Sequence, residues 1–274
     1  MNIVLLCKRH NHRKVLEILS ALRAQNLAVR GIVALAPRES WPSLTEVVQK
    51  IYHRRHTGSR KKNSDTADSR FALNGKAASL HSFNANGHAA KPAPSQSISG
   101  LYKTIEDYAR AHNIPLVTVP DLNGAECVAA LQKFQTDVLL LGGVPIIRAQ
   151  VLQTPRVGTL NVHMAWLPGN RGMNVAEWSV YTNAPVAVTV HFVDVGVDTG
   201  AVLYREQIDI AECRTIAALR EQLSFEQHHA LARATRLLFD KQLQPEPQAR
   251  EAGKQYYLMH ERLKQIVERK MRRG

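Results

Sequence analysis

"TDVLLLGG", residues 136–143, is a continuous apolar run closed by two glycines. It has no polar alternation, and it is too short for a free-standing helix. It reads as a strand buried on both faces, the signature of a parallel sheet covered by helices. The same pattern recurs outward from it. "NIVLLC" (2–7) is another short apolar run, followed by Val15, Ile18, Leu19 and Leu22 at helical spacing within 12–26. "AVRGIVALA" (28–36) reads as a strand. "SLTEVVQKIYHRR" (43–55) reads as a helix, with Ser43 as N-cap and Glu46 three residues on. Before 136–143 the pattern predicts a helix at 99–112, a strand at 114–119 and a helix at 123–134. After it come a short helix near 146–152, a strand "GTLNVH" (158–163), a helix at 173–181 and strands at 185–193 and 201–210 forming a hairpin-like pair. A long helix over 215–240 carries Ile216, Leu219, Leu223, Leu231, Leu237 and Leu238 on its apolar side, and 253–272 reads as a short helix folded back on the body. Strands alternating with helices predict an α/β fold: a mostly parallel, twisted sheet with helices on both faces. The expected division is one domain over 1–240 and a helical tail over 241–274.

The chain has 274 residues and is 45% hydrophobic, enough for one well-filled core and an appendage. Residues 58–99 are rich in Ser, Asn, Ala, Gly and Lys without sustained periodicity. Such a stretch buries too little apolar surface to offset its ordering entropy and reads as a disordered surface insertion, its His81 and His88 passive. No apolar run approaches the length that spans a bilayer. The N-terminus reads as a core strand rather than a signal peptide. Three scattered cysteines, Cys7, Cys127 and Cys213, argue against a disulfide framework or a zinc site and fit a reducing cytoplasm. The formal charge of +13 favours an anionic partner. Much of the excess lies in 53–62 and 260–274, where no aromatics interleave with the basic residues. That distribution reads as solvated charge and weighs against nucleic acid.

"LNVHMAWLPGNRGMN" (160–174) carries the chemistry. Alternate residues of a strand point the same way, so Asn161 and His163 project together, at the carboxyl end of a parallel strand where open α/β sheets hold ligands. An Asn amide can donate to a developing oxyanion, and a nearby imidazole moves protons near neutral pH. A carboxylate is needed to orient the ring; Asp198, on the Gly-rich turn of "DVGVDTGAV", is the best placed. The bland alternative is a polar strand end, with Asn161 capping the turn and His163 bonded to Asp198 for stability alone.

Asn161-x-His163, Leu167-Pro168, Arg171-Gly172 and the turn Asp194-x-Gly196-x-Asp198-x-Gly200, in that order and spacing, resemble the folate-dependent formyltransferase family. The likeness is strong over 136–210 and follows strand order elsewhere in 1–240. It implies a Rossmann-like formyltransferase fold, a catalytic domain over 1–240, and an enzyme that uses N10-formyltetrahydrofolate as co-substrate without a metal. Asn161, His163 and Asp198 would be its catalytic residues. By position, the pterin would be held mainly by backbone of Gly143 to Arg148, including Ile146 and Ile147, and of Val193, Asp194 and Gly196. By itself "GGVPII" reads as a tight strand–helix turn.

The acceptor is then an amine on a small anionic molecule. Lys8, Arg9 and Arg13, where the first strand meets the first helix, are candidates for its anionic group, because a helix N-terminus favours anions. "LPGNRGMNVAEWSV" is similar to the amino-sugar branch, which adds Arg171, Asn174 and Trp178 as substrate-binding candidates. "GKQYYLMHERL" (253–263) also resembles a tail motif of that branch, and its residue-level reading is a docking helix with packing aromatics. A methionyl-tRNA formyltransferase would be expected to carry a C-terminal β-barrel, whereas about 34 residues here follow the long helix. A glycinamide ribonucleotide formyltransferase would show a Gly-rich loop where this chain reads "CKRHNHR". The other readings are a formyltetrahydrofolate hydrolase with the same trio, expected to carry a domain before residue 1, and a basic nucleic-acid-binding protein on a degenerate enzyme fold. The oligomeric state stays open at this point, a dimer included.

Overall fold

A computed structural model describes residues 1–37 and 101–273. The helix expected at 43–55 and the insertion at 58–99 lie outside those residues. The strands are β1 (Ile3–Lys8), β2 (Val29–Leu35), β3 (Leu116–Val119), β4 (Val138–Gly142), β5 (Gly158–His163), β6 (Asn170–Gly172), β7 (Ala187–Phe192), β8 (Val202–Gln207) and β9 (Lys254–Tyr256). The helices are α1 (His12–Ala24), α2 (Ile105–Ala111), α3 (Ala125–Lys133), α4 (Ala149–Leu152), α5 (Val175–Thr182), α6 (Ile216–Phe239) and α7 (Glu261–Arg273).

Seven strands form one sheet in the order β3-β2-β1-β4-β5-β7-β8. The first five are mutually parallel, and β7 and β8 extend the sheet antiparallel. The unbroken apolar runs have a direct cause. Ile3, Leu5 and Cys7 of β1, with Val138 and Leu140 of β4, pack on one face with residues of α1 and α6. Val4, Leu6, Leu139 and Leu141 pack on the other with residues of α3 and α4. A strand covered on both sides has no position to give to a polar residue, and each large side chain so buried contributes roughly 1.5–3 kcal/mol.

β1 lies between β2 and β4, so strand order reverses at the β1–β4 boundary, with Cys7 paired to Gly142. The carboxyl ends of β1, β4 and β5 therefore surround the crevice where such sheets bind ligands. Two expectations needed revision. The helix expected from residue 99 starts at Ile105, because the Thr104 side chain accepts a hydrogen bond from the Asp107 amide (3.1 Å) and caps it there. The segment expected as one helix over 253–272 is a strand and then a helix: β9 pairs in parallel with β6, and α7 follows. Three-residue strands reading Asn-Arg-Gly and Lys-Gln-Tyr carry no apolar period that would mark them.

Candidate active site

On β5, Leu160 and Val162 belong to the apolar face shared with α1 and α6, so Asn161 and His163 project to the opposite face. Antiparallel pairing sets Asn161 opposite His191 of β7. His191 is 2% exposed, and its Nδ1 lies 2.8 Å from the Phe192 carbonyl. A carbonyl only accepts, so Nδ1 carries the proton and Nε2 presents a lone pair. That lone pair meets the Asn161 amide nitrogen at 3.4 Å. Burial, then the charge on His163, push His191 below the usual histidine value, so it stays neutral and fixes which end of the Asn161 amide is nitrogen.

His163 is 7% exposed. Its Nε2 donates to the Asn170 carbonyl (2.9 Å), and its Nδ1 faces Asp198 Oδ2 at 3.5 Å. A neutral ring satisfies one of these two acceptors and an imidazolium satisfies both. The same carboxylate oxygen accepts from the Gly172 amide (2.9 Å), and Asp198 Oδ1 lies 3.7 Å from His191 Nε2. β6 thus holds both partners, His163 through Asn170 and Asp198 through Gly172. Asn170 is itself held, its amide donating to Ser179 on α5 (3.0 Å). The structure brings Asn161, His163 and Asp198 into one cluster. It adds His191, whose only sequence signal was a histidine in an otherwise apolar strand.

A cavity of about 550 Å³ opens at the tip of β5, lined by His163, Asn174, Glu177, Arg220, Ser224 and Gln227 among others. Glu177 is 1% exposed and accepts from Arg220 Nε (2.6 Å). The Gln227 side-chain nitrogen is buried there without a hydrogen-bond partner. On the opposite face, Val144, Ile147 and Val193 pack in one apolar cluster, which gathers the loop after β4 and the loop after β7. Gly143 has φ +76°, and the Lys14 ammonium stands 3.1 Å from where its Cβ would be. Burial lowers the affinity of Lys14 for its proton. Asn123 ties this loop down, donating to the Ile146 carbonyl (3.0 Å) and accepting from the Arg148 amide (2.7 Å). Of the loop residues expected to hold the pterin, Ile146 is exposed and Ile147 is buried in the core. Asp194 shapes its own loop, accepting from the Gly196 amide (3.0 Å) and the Thr199 hydroxyl (2.7 Å).

Of the residues expected to bind substrate, Arg9, Arg13, Arg171, Asn174 and Trp178 have partners within the chain. Arg9 donates to Glu106 (2.7 Å), while Arg13 donates to Glu17 (2.9 Å) and reaches Glu221 (3.4 Å). Arg9 nonetheless lines a second cavity, of about 430 Å³, with His10, His12 and Glu106. Lys8 is half-buried at the end of β1. Arg171, Asn174 and Trp178 grip the chain's own tail. Arg171 is 5% exposed and donates to Gln248 and the Ala249 carbonyl. Asn174 accepts from the Met259 amide (2.9 Å). The Trp178 indole donates to the Tyr257 carbonyl (2.9 Å) and stacks on Tyr256. A motif read as recognising a ligand is met first by residues 248–259. Among the described residues, no group of three or more His, Cys, Asp or Glu is placed to hold a metal ion, and no helix is long and apolar enough to cross a membrane. Cys7, Cys127 and Cys213 are buried thiols, and burial pushes Cys7 up to about 12 and Cys127 to about 11.

Comparison with known proteins adds three findings. A family model described as formyl transferase matches residues 95–235, just over half of the chain. A methionyl-tRNA formyltransferase of Bacteroides fragilis is 28% identical over 123 residues, which is 44% of this chain and 38% of that protein. The chain thus spans well under half the length of this curated relative. Among solved structures, glycinamide ribonucleotide transformylase 1 of Symbiobacterium toebii superposes with a TM-score of 0.55 at 17% identity, covering 91% of this chain and 95% of its own. A sugar N-formyltransferase of Shewanella sp FDAARGOS_354 gives 0.54 at 14% identity, covering 99% and 88%. At those identities the two structures share the fold.

Proposed function

The chain belongs to the formyl transferase family, and on that footing we propose that it moves a formyl group from N10-formyltetrahydrofolate to a primary amine of a small anionic acceptor, an amino-sugar nucleotide being the preferred class. The observation that carries this reading is the cluster of Asn161, His163 and Asp198 at the tip of β5, beside a cavity large enough for a small substrate. Similarity to proteins named as sugar, glycinamide ribonucleotide and methionyl-tRNA formyltransferases supports the transferred group and leaves the acceptor to experiment.

The folate fits the face that carries the loops after β4 and β7. Ile146 is 83% exposed and Val195 is 90% exposed, apolar side chains that a flat ring would cover. Gly143, at positive φ, keeps the backbone approachable. When bound, the folate supplies an activated formyl carbon attached to a weakly basic nitrogen. The acceptor amine occupies the cavity between α5 and α6, where Gln227 offers an unspent amide and the Glu177–Arg220 pair offers charge of both signs.

Asn161 then donates its amide to the oxyanion that develops as the amine attacks. His191 holds that amide in place, so little reorientation is needed. His163 accepts the proton that the amine loses. With Nε2–H anchored on Asn170, the vacant position is Nδ1, where Asp198 faces the new N–H. The imidazolium so formed has an acceptor at each nitrogen. Its proton then passes, directly or through water, to the folate nitrogen as the bond from that nitrogen to the formyl carbon breaks. Tetrahydrofolate leaves, the formamide remains on the acceptor and His163 returns to its neutral form. Loss of one oxyanion donor typically raises the barrier by roughly 2.7–4 kcal/mol. The test is a panel of amines incubated with the enzyme and N10-formyltetrahydrofolate, read by mass. Formyl gain on an amino-sugar nucleotide supports the proposal. Formate release without formyl gain on any amine would replace it with the hydrolase, and tRNA formylation would replace the acceptor.

A further inference from the structure

We infer that Gln248, on the segment between α6 and α7, is a positioning residue for the catalytic pair: it fastens the Asp198–Gly200 turn to Arg171 of β6 and so sets where the Asp198 carboxylate stands against His163. The inference rests on the formyl-transfer reading of that pair.

The 3.5 Å between His163 Nδ1 and Asp198 Oδ2 is too long for that contact to fix the carboxylate unaided. Its position is therefore set from elsewhere. Asp198 has φ +53°, a left-handed conformation that is uncommon outside glycine and that neighbouring groups help to hold. Gln248 is such a neighbour. Its Nε2 donates to the carbonyls of Asp198 (3.1 Å) and Gly200 (2.6 Å). Its Oε1 accepts from Arg171 Nη2 (3.1 Å), which also donates to the Ala249 carbonyl (3.2 Å). Arg171 stands between Asn170, whose carbonyl anchors His163, and Gly172, whose amide holds Asp198.

The path from Gln248 to the pair is thus short and closed. One side of the amide grips the turn that bears the carboxylate, and the other grips the strand that bears the partners of both groups. Only glutamine of this length has donors on one side and an acceptor on the other. Glutamate would turn a carboxylate oxygen toward two carbonyls. The flanking chain is equally constrained: Glu246 exchanges backbone hydrogen bonds with Val202, the Lys254 amide donates to the Gly169 carbonyl (2.9 Å), and a Cβ at Gly253 would run into the Pro168 carbonyl.

The test compares Gln248→Met and Gln248→Glu with wild type. Methionine keeps the volume and loses every hydrogen bond. Glutamate keeps the acceptor for Arg171 and loses the donors to the turn, so it remains informative if the first variant folds poorly. Both should lower kcat by about tenfold or more with KM for both substrates within about threefold, per folded molecule. In an Asp198→Asn background, Gln248→Met should lower kcat by less than about twofold, because its effect runs through Asp198. Unchanged kcat with a lower melting temperature, or fully multiplicative losses, would overturn the inference. If the wild-type enzyme transfers no formyl group, the functional reading fails and the positioning is read directly from the ring-nitrogen NMR shifts of His163. A displaced Nδ1 resonance in Gln248→Glu sustains it, and a superimposable spectrum refutes it.

Discussion

At the residue scale, the Asn161 amide is oriented by a neutral histidine rather than by a backbone group. His191→Phe keeps an aromatic ring, somewhat larger, and removes the lone pair that meets Asn161. On the role proposed for Asn161, it should lower kcat by about tenfold to a hundredfold, since a mis-set amide loses part of an oxyanion donor's effect. The expected signature is a change in kcat with folate-analogue affinity retained, measured by titration and turnover on one preparation. Asn161, His163 and Asp198 were legible in the sequence because their spacing places two on one face of a strand and the third on a Gly-rich turn. His191 was not, because a lone histidine in "VAVTVHFV" looks like a satisfied core residue. Its role depends on β5–β7 register, which no local pattern specifies. The partners that Arg171 and Trp178 find within the chain were not legible either. A motif can be shaped by chain distant in sequence, and their partners lie 77 and 79 residues away.

At the scale of elements, β1 and β4 were readable because burial on both faces leaves an unbroken apolar run. The β6–β9 ribbon was not, since its strands are three residues each and are held by position rather than by apolar content. α7 docks through buried Val267 and Met271 and through Lys270, which donates to the Tyr181 carbonyl (2.6 Å) and Asn183 Oδ1 (2.8 Å) at the end of α5. An ammonium at a helix C-terminus satisfies open carbonyls and complements the dipole. Lys270→Met should therefore lower stability by about 1 kcal/mol, read from the denaturant midpoint. Turnover per folded molecule should stay at the wild-type level, because the contacts described for His163 and Asp198 come from β6, His191 and Gln248 and not from α7. A fall in turnover would mean that the docking of α7 reaches the site.

At the scale of the whole molecule, acid sensitivity has an identifiable source. His228 of α6 is 1% exposed; burial, with the Lys14 charge nearby, pushes it down to about 3, although Glu17 Oε2 lies 3.1 Å from its Nδ1. A folded value below the unfolded one means the unfolded chain binds a proton first. Stability attributable to this ring is whole above the ordinary histidine range, falls as pH drops toward about 3, and levels off below that. At its steepest the slope is about 1.4 kcal/mol per pH unit. His228→Gln should flatten the stability–pH curve by one proton across that window, measured by denaturant unfolding at several pH values. An unchanged curve would mean that Glu17 holds the ring charged.

The central proposal is that Asn161, His163 and Asp198 are a catalytic unit and not a polar strand end. The most direct measurement is a double-mutant cycle of His163→Ala and Asp198→Asn, with turnover and denaturant midpoint taken on the same preparations. The account predicts that each single change lowers kcat by orders of magnitude, that both variants still bind a folate analogue, and that the double change costs far less than the product of the two. Near-wild-type turnover in the single variants, with unfolding free energy lowered by about 1–3 kcal/mol, would contradict it and leave a structural hydrogen bond in its place.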